Sequence, residues 1–437
     1  MQSTERIQSI HGKLWALALP VMLSNVSVPI LGLVDTAILG HLPDSQYLAA
    51  VAMGSSLLVM VMWSFAFLRM GTTALIARFY NQKLEVSGIL QSALLLALII
   101  GLSLMLLGPW LIELMVYLVG ASEDISPLAS EYLNIRFYFA PVTLLNYVVL
   151  GYFIGKGLTH INLILLVSTN LLNGLLNYVF VYKLNWFSAG VAWGTNIAEL
   201  FQLCLGLFFI KESIIQKQAW PGMKKRFKQF IDLNLQLFVR TFLLLFAFAF
   251  FMAQGAQHSA ALLSANAILI NLLMFMSNAL DGFAIASESM VGQSLAHKSQ
   301  RSKRVLMNII KASGLWSLAT AIIFTLILLF AYPYVFNLLT SQDDVLALLN
   351  ILALWLIFLP LAGFGSYWLD GIYVGLGKAR DMKNSVAISV LFVFLPFTYL
   401  FSFWEYHGLW LAMHGFLLAR AFWLIYKLPE NVHDFAN

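Results

Sequence analysis

The feature that most restricts this chain is a recurring one: apolar runs of about twenty residues, divided by short polar breaks, from Leu14 almost to the end. A bilayer core of ~30 Å is crossed by about 20 apolar residues of helix, and inside it the backbone must satisfy its own hydrogen bonds. An all-α polytopic membrane protein is expected, with twelve transmembrane helices near 14–39, 48–76, 88–118, 127–154, 161–182, 190–210, 236–256, 261–290, 305–331, 345–373, 384–403 and 408–426. Composition agrees: 61% of residues are hydrophobic, 10% are charged and the mean hydropathy is +0.84, which leaves no stretch for a separate soluble domain. The first run is too long for a signal peptide and is expected to be retained as a helix. Cys204 is the sole cysteine, which excludes an intrachain disulfide and a cysteine-based metal site and leaves packing as its expected role.

An even number of spans puts both termini on one side of the bilayer. Lys and Arg gather in cytoplasmic loops. Here one alternate set of connections carries Arg78, Lys83, Lys156, the run Lys224, Lys225, Arg226 and Lys228, then Lys298, Arg301, Lys303, Arg304, Lys378, Arg380 and Lys383. The other set holds Asp44, Glu123, Asp124, Asp343, Asp344 and Glu405, with Lys183 as its single base. Both termini are therefore expected in the cytoplasm. The net charge of +5 follows from this asymmetry, and no nucleic-acid partner is expected.

The longest connection is basic and central. It divides the chain into an amino-terminal lobe of six spans (1–210), a cytoplasmic linker (211–235) and a carboxy-terminal lobe of six spans (236–437). A shift of 215 residues lays Gly40 on Gly255, Leu48 on Leu263, Ala50 on Ala265 and Ala52 on Ala267. Pro141 with Gly155 and Gly157 likewise parallels Pro360 with Gly375 and Gly377. Repeated halves around a midplane cavity are typical of secondary transporters. A chain that contains both bundles has no need of a second copy, so a monomer is expected.

An ionisable group in lipid costs a few kcal/mol, ~2.5–3.5 on insertion scales, and usually turns to protein or to a water-filled cavity. Asp35, in LGLVDTAILGHL, lies five residues before Gly40, roughly 7–8 Å below the helix end. The fifth span, TNLLNGLLNYVFVY, sets Asn170, Asn173 and Asn177 on one stripe at i, i+3 and i+7, with Asn177 five residues from Tyr182. In the sixth, GVAWGTNIAELFQ, Thr195 is five residues past Gly190, and Glu199 is one turn deeper on the same face. Asp35, Asn177 and Thr195 thus count to one depth. Polar bonding between helices explains Asn170 and Asn173 as well as a site does. No base of the first six spans counts to the depth of Asp35, so this acid is expected among neutral oxygens, where it can bind a proton or a small hard cation. Desolvation opposes a carboxylate and amide donors favour it, a balance that permits proton exchange near physiological pH.

The carboxy-terminal half has no counterpart, since the shift of 215 puts Phe250 in the place of Asp35. Its charges Arg240, Asp281, Glu288 and Asp370 count out near cytoplasmic helix ends, as does Arg69 in the other half. Asp281 and Glu288 share a helix face, and the hairpin between spans seven and eight brings Arg240 within about a turn of Asp281, which predicts a salt bridge. These five residues are expected to form an inner charge network that closes the bundle. Pro20 and Pro29 each remove a backbone hydrogen bond from the first span and can bend it, so neutralising Asp35 is expected to alter the bend.

The stretches LALPVMLSNVSVPILGLVDTAILGHL, FLRMGTTALIA, IRFYFAPVTLLNYVVLGYFIG, LNGLLNYVFVY, NAILINLLMFMSNALDGFAIASESMVGQ and LDGIYVGLGKARDMKNSVAIS together resemble the multidrug and toxic compound extrusion (MATE) family, in its DinF-like branch. The resemblance implies two pseudo-symmetric six-helix bundles around a cleft, and export of small amphipathic or cationic drugs in exchange for inward H⁺ or Na⁺. It also implies a cation site at Asp35, Asn173, Asn177 and Thr195, with Asn177 standing where many relatives carry Asp. One carboxylate fewer weakens a hard-cation site. H⁺ is therefore the expected coupling ion, Na⁺ the second choice, with no cofactor or resident metal. Pro20 matches the family's suggested bend point, and Asn170 and Glu199 are expected to serve the substrate cleft or the conformational change.

Substrates of this kind would lie among apolar and aromatic side chains, which 34 Phe and 16 Met can supply. The alternative, a lipid or lipid-linked saccharide flippase, would need a cationic cavity for phosphates, whereas the basic residues lie mainly in loops. An embedded enzyme would need His, Cys or acids clustered at one depth; the eight His are scattered, with no HExxH or serine-nucleophile pattern. The expectation is a multi-pass antiporter of a bacterial cytoplasmic membrane, and no enzyme.

Overall fold

The computed structural model describes residues 2–42, 44–120, 122–214, 216, 223–296 and 300–433. The middle of the expected linker, 217–222, and Lys298 lie outside the described residues. Each expected span is met by one helix or one broken helix. The first six are α1 (Gln2–Gly40), α2 (Gln46–Trp63) with α3 (Phe67–Arg78), α4 (Lys83–Val119), α5 (Ile125–Tyr138) with α6 (Ala140–Lys156), α7 (Thr159–Tyr182) and α8 (Phe187–Ile214). The second six are α9 (Met223–His258), α10 (Ala260–Ser294), α11 (Gln300–Leu339), α12 (Asp343–Leu376), α13 (Ala379–Ser389) with α14 (Leu395–Leu400), and α15 (Glu405–His433). Among the described residues nine rods are long and apolar enough to cross a membrane, and the bent pair α5 and α6 makes a tenth.

Large apolar side chains cover the outward faces, with Leu106, Phe330, Leu338 and Phe403 all largely exposed. Such faces would drive aggregation in water but are at home against lipid tails, which are as apolar as leucine. Cys204, expected to pack, is exposed on α8 as well.

Proline sets the breaks. Pro141 offers no N–H to continue α5 and its ring crowds the preceding turn, so the chain bends by 52° between α5 and α6. Gly101 of α4 accepts that bend, because a Cβ there would stand 2.4 Å from Pro141 Cα. Before Pro396 the helix widens into a π turn over 390–394, where the Leu395 N–H reaches back to Val390 O. Pro360, in contrast, lies inside an unbroken α12.

Internal contacts divide the chain into two compact units, Leu23–Asp232 and Met1–Met22 with Leu233–Asn437. Each contains the same close crossing. In the first, Gly151 and Gly155 of α6 lie on α3, where added Cβ atoms would meet Arg69 O at 2.6 Å and Ile76 Cβ at 2.8 Å. In the second, Gly371 and Gly375 of α12 lie on α10, where they would meet Ala284 O at 2.1 Å and Val291 Cβ at 2.9 Å. Ala284 and Val291 are the residues that the shift of 215 pairs with Arg69 and Ile76. Both crossing helices then end on a left-handed glycine, Gly157 (φ 75°) and Gly377 (φ 68°). Backbone meets backbone at these crossings, which only a residue without a Cβ allows.

α1 contributes to both units. Leu14 and Ala18 are fully buried with Phe283, Val291 and Ile372. Trp15 stands edge-on to Phe283 and to Trp316, 5.1 Å from each. Trp316 Nε1 donates to His11 Nδ1 at 3.0 Å. The division falls between Met22 and Leu23, just past Pro20.

Candidate functional site

The end of α1, the middle of α7 and the first turns of α8 meet inside the unit Leu23–Asp232. α7 presents its asparagine stripe as the helical spacing requires. Asn170 Nδ2 donates to Ser27 Oγ of α1 at 2.9 Å. One turn on, Asn173 Nδ2 donates to Thr195 Oγ1 of α8 at 2.9 Å, and that hydroxyl donates to Val191 O. Asn177 Nδ2 donates both to Asp35 Oδ1 at 2.6 Å and to Asn173 Oδ1 at 3.1 Å. Higher still, the Tyr182 hydroxyl donates to Ile38 O at 2.7 Å. The four residues read from sequence as one site, Asp35, Asn173, Asn177 and Thr195, thus form one chain of hydrogen bonds that ends on the carboxylate. Asp35 is half-buried, whereas Asn173 and Asn177 are fully enclosed.

A glycine makes room for this arrangement. A Cβ on Gly194 would stand 2.0 Å from Asn177 Oδ1, so the amide can turn its nitrogen to Asp35 only because position 194 of α8 is bare.

One buried base was not singled out from the sequence. The Arg136 guanidinium is buried in the same unit, a turn deeper than Asp35 by residue count, and its charge still reaches the Asp35 carboxylate. Arg136 donates to Asn196 Oδ1 and, at 2.7 Å, to Glu199 Oε1. Thr143 Oγ1 donates to Glu199 Oε2 at 2.5 Å, and Asn146 Nδ2 donates to the Glu199 carbonyl at 2.9 Å. Glu199, read as a residue of the cleft or of the conformational change, is held in a buried ion pair. The signal was available: Arg136 lies nine residues past the expected span start at 127, as Glu199 lies nine past Gly190, so both count to one depth. Low-dielectric surroundings make such a pair costly to break, because either charge left alone is buried without compensation.

The inner charges of the second unit also gather. Asp370 Oδ2 accepts from Arg240 and, at 2.7 Å, from Arg420 of α15, a partner that sequence reasoning missed. Asp281 and Asp370 both act electrostatically on the buried Tyr367 hydroxyl. Glu288 is buried on α10, with its carbonyl against Gly375. Arg69 belongs to the other unit, where its charge acts on Tyr147. The five residues expected as one network are therefore divided between two units.

The MatE family model matches residues 20–179 and matches again over 235–400, the second stretch starting 215 residues after the first. The chain belongs to the MatE family. It is 36% identical to DNA damage-inducible protein F of Escherichia coli over 93% of this chain and 89% of that one. It is 26% identical to the chloroplastic protein DETOXIFICATION 44 of Arabidopsis thaliana, over 95% and 82%. Among solved structures, the Vibrio cholerae MATE transporter VcmN, in a mutant form, matches with a TM-score of 0.88 at 18% identity over 98% and 99% of the chains. A MOP superfamily transporter from Pyrococcus furiosus matches with a TM-score of 0.83, also at 18% identity, over 98% and 97%. As a MatE protein of the DinF-like branch, the chain is an all-α, multi-pass membrane transporter and not an enzyme. The first matched stretch contains Asp35 and the asparagine stripe, while α8, which supplies Thr195, Gly194 and Glu199, lies outside both.

Proposed function

We propose that this MatE protein is a secondary antiporter that exports small amphipathic or cationic drugs in exchange for protons loaded at Asp35. The observation that carries the proton is the direction of the hydrogen bonds. Asn177 turns N–H hydrogens to the carboxylate and to Asn173, and Asn173 turns its own to Thr195. A sodium ion needs several oxygen lone pairs facing one point, preferably with more than one negative charge among them. Here Asn173 Oδ1 and Thr195 Oγ1 each already accept one hydrogen, Asp35 is the single carboxylate of the four residues, and Arg136 adds a positive charge nearby. A proton needs only the one carboxylate.

In the cycle we infer, Asp35 takes up a proton while its site is open to the outside. The neutral acid holds Asn177 less strongly, the α1 contacts rearrange near Pro20, and affinity for the exported compound falls. The lobes then rock to expose the site inward, where the proton leaves. Export of drugs is supported by the names of relatives: a probable multidrug resistance protein NorM of Bacillus subtilis (24% identical) and multidrug and toxin extrusion protein 1 of Oryctolagus cuniculus (27%). The basic loops favour a bacterial cytoplasmic membrane with both termini inside, and the two units in one chain favour a monomer. The test is export of a fluorescent cation from proteoliposomes under separately imposed pH and sodium gradients. Export should follow the pH gradient and vanish in Asp35→Asn; export driven by sodium alone would overturn the reading.

A further inference from the structure

In the unit Leu23–Asp232, at the helix ends opposite its basic loops, the start of α2, the first turns of α5 and the turn between α7 and α8 border an open pocket of about 450 Å³. That size lies within the range of small-molecule sites. Its lining includes Tyr47, Ile135, Trp186, Phe187 and Trp193, and among the described residues Glu131 is the only charged one that lines it. The Glu131 side chain is exposed and has no ion-pair or hydrogen-bond partner among the described residues.

The turn that carries two of these rings is strained. Asn185 (φ 56°) and Phe187 (φ 41°) both adopt left-handed backbone, which asparagine tolerates and phenylalanine does not. In this conformation Phe187 stacks on Tyr47 with ring centres 4.5 Å apart, and Trp186 rests on Phe180 at 5.1 Å while staying 46% exposed. Strain kept in a bulky turn residue marks a place where function overrides local preference.

We propose that this pocket is a second binding site, distinct from Asp35, for amphipathic organic cations. The aromatic rings offer faces for stacking and for cation–π attraction, Glu131 supplies the counter-charge, and no base among the described lining residues opposes it. The proposal rests on the reading of the chain as an exporter of such compounds and assigns them a place on the way out. Its lining is joined to the coupling site. Ile135 precedes Arg136, the Ile135 carbonyl accepts from Asn196 Nδ2 at 2.7 Å, and Trp193 lies two residues before Thr195. A ligand in the pocket bears on the same two helix segments that hold Arg136 and Thr195.

The experiment is photolabelling of the full-length protein in nanodiscs with ethidium monoazide, without any gradient, followed by peptide mapping. Label is expected within 128–135 and 185–193, and should fall about tenfold in Glu131→Gln and in Trp186→Ala. It should persist in Asp35→Asn, where export driven by the pH gradient is lost. Label confined to other segments, or unchanged in both pocket variants, overturns the site. Labelling is read at equilibrium, so pocket labelling in a protein that fails to couple export to a pH gradient supports the site and counts only against the proton exchange.

Discussion

Asn177 places one amide nitrogen 2.6 Å from Asp35 Oδ1 and 3.1 Å from Asn173 Oδ1, and Asn173 in turn donates to Thr195 Oγ1, so two side chains of α7 link the acid of α1 to the hydroxyl of α8. Any change in the charge of Asp35 alters the bond that orients Asn177. The asparagine pair then transmits it across three helices without a further charged group.

Replacing Asn177 by Asp sets a second carboxylate beside the first. Two acids at this distance share one proton or one cation. Asn177→Asp should therefore make export in proteoliposomes respond to a sodium gradient that leaves the native protein unaffected. If the variant ignores sodium, the direction of the amide hydrogens is not what selects the ion.

Gly194→Ala drives a methyl group into Asn177 Oδ1. Overpacking of this kind costs about 1–3 kcal/mol, and the displaced amide should abolish export. Thermal unfolding in detergent checks the first and transport the second. In an Asn177→Ala background the same substitution should be nearly neutral; an equal cost in both backgrounds would mean that the collision lies elsewhere.

Glu199→Gln leaves the Arg136 guanidinium buried beside a neutral amide. Breaking one side of a buried pair typically costs about 3–5 kcal/mol, so a large drop in unfolding temperature is expected. Replacing both partners, Arg136→Met with Glu199→Leu, should cost less than the sum of the single changes. Additive losses would show that the two side chains do not act as a pair.

Gly371→Ala forces a Cβ against the Ala284 backbone carbonyl, which cannot move aside as a flexible side chain can. It should destabilise by about 1–3 kcal/mol. Gly40→Ala, where a Cβ meets nothing within 4 Å, should stay within about 0.5 kcal/mol. Comparing the two by thermal unfolding separates the helix crossing from a general dislike of alanine.

Much of this was legible along the chain. Hydropathy marked the spans, the parallel of Pro141, Gly155 and Gly157 with Pro360, Gly375 and Gly377 pointed to the repeated crossing, and the spacing of Asn170, Asn173 and Asn177 put them on one stripe that does meet α1 and α8. Arg136 was not legible as a neighbour of Asp35 because it counts to the depth of its partner Glu199, a turn further in. Arg420 gave no signal, being 50 positions from the Asp370 it binds.

The amino-acid sequence alone determined that the chain lies in a bilayer, how its rods divide, and how deep and on which stripe each polar group lies, because hydropathy and the 3.6-residue repeat are properties of one segment at a time. Tertiary structure alone decided which polar groups meet. That choice depends on how distant helices cross, and the crossings are set by bare glycines at 151, 194 and 371 and by the bend at Pro141, none of which indicates in the sequence the surface it will touch.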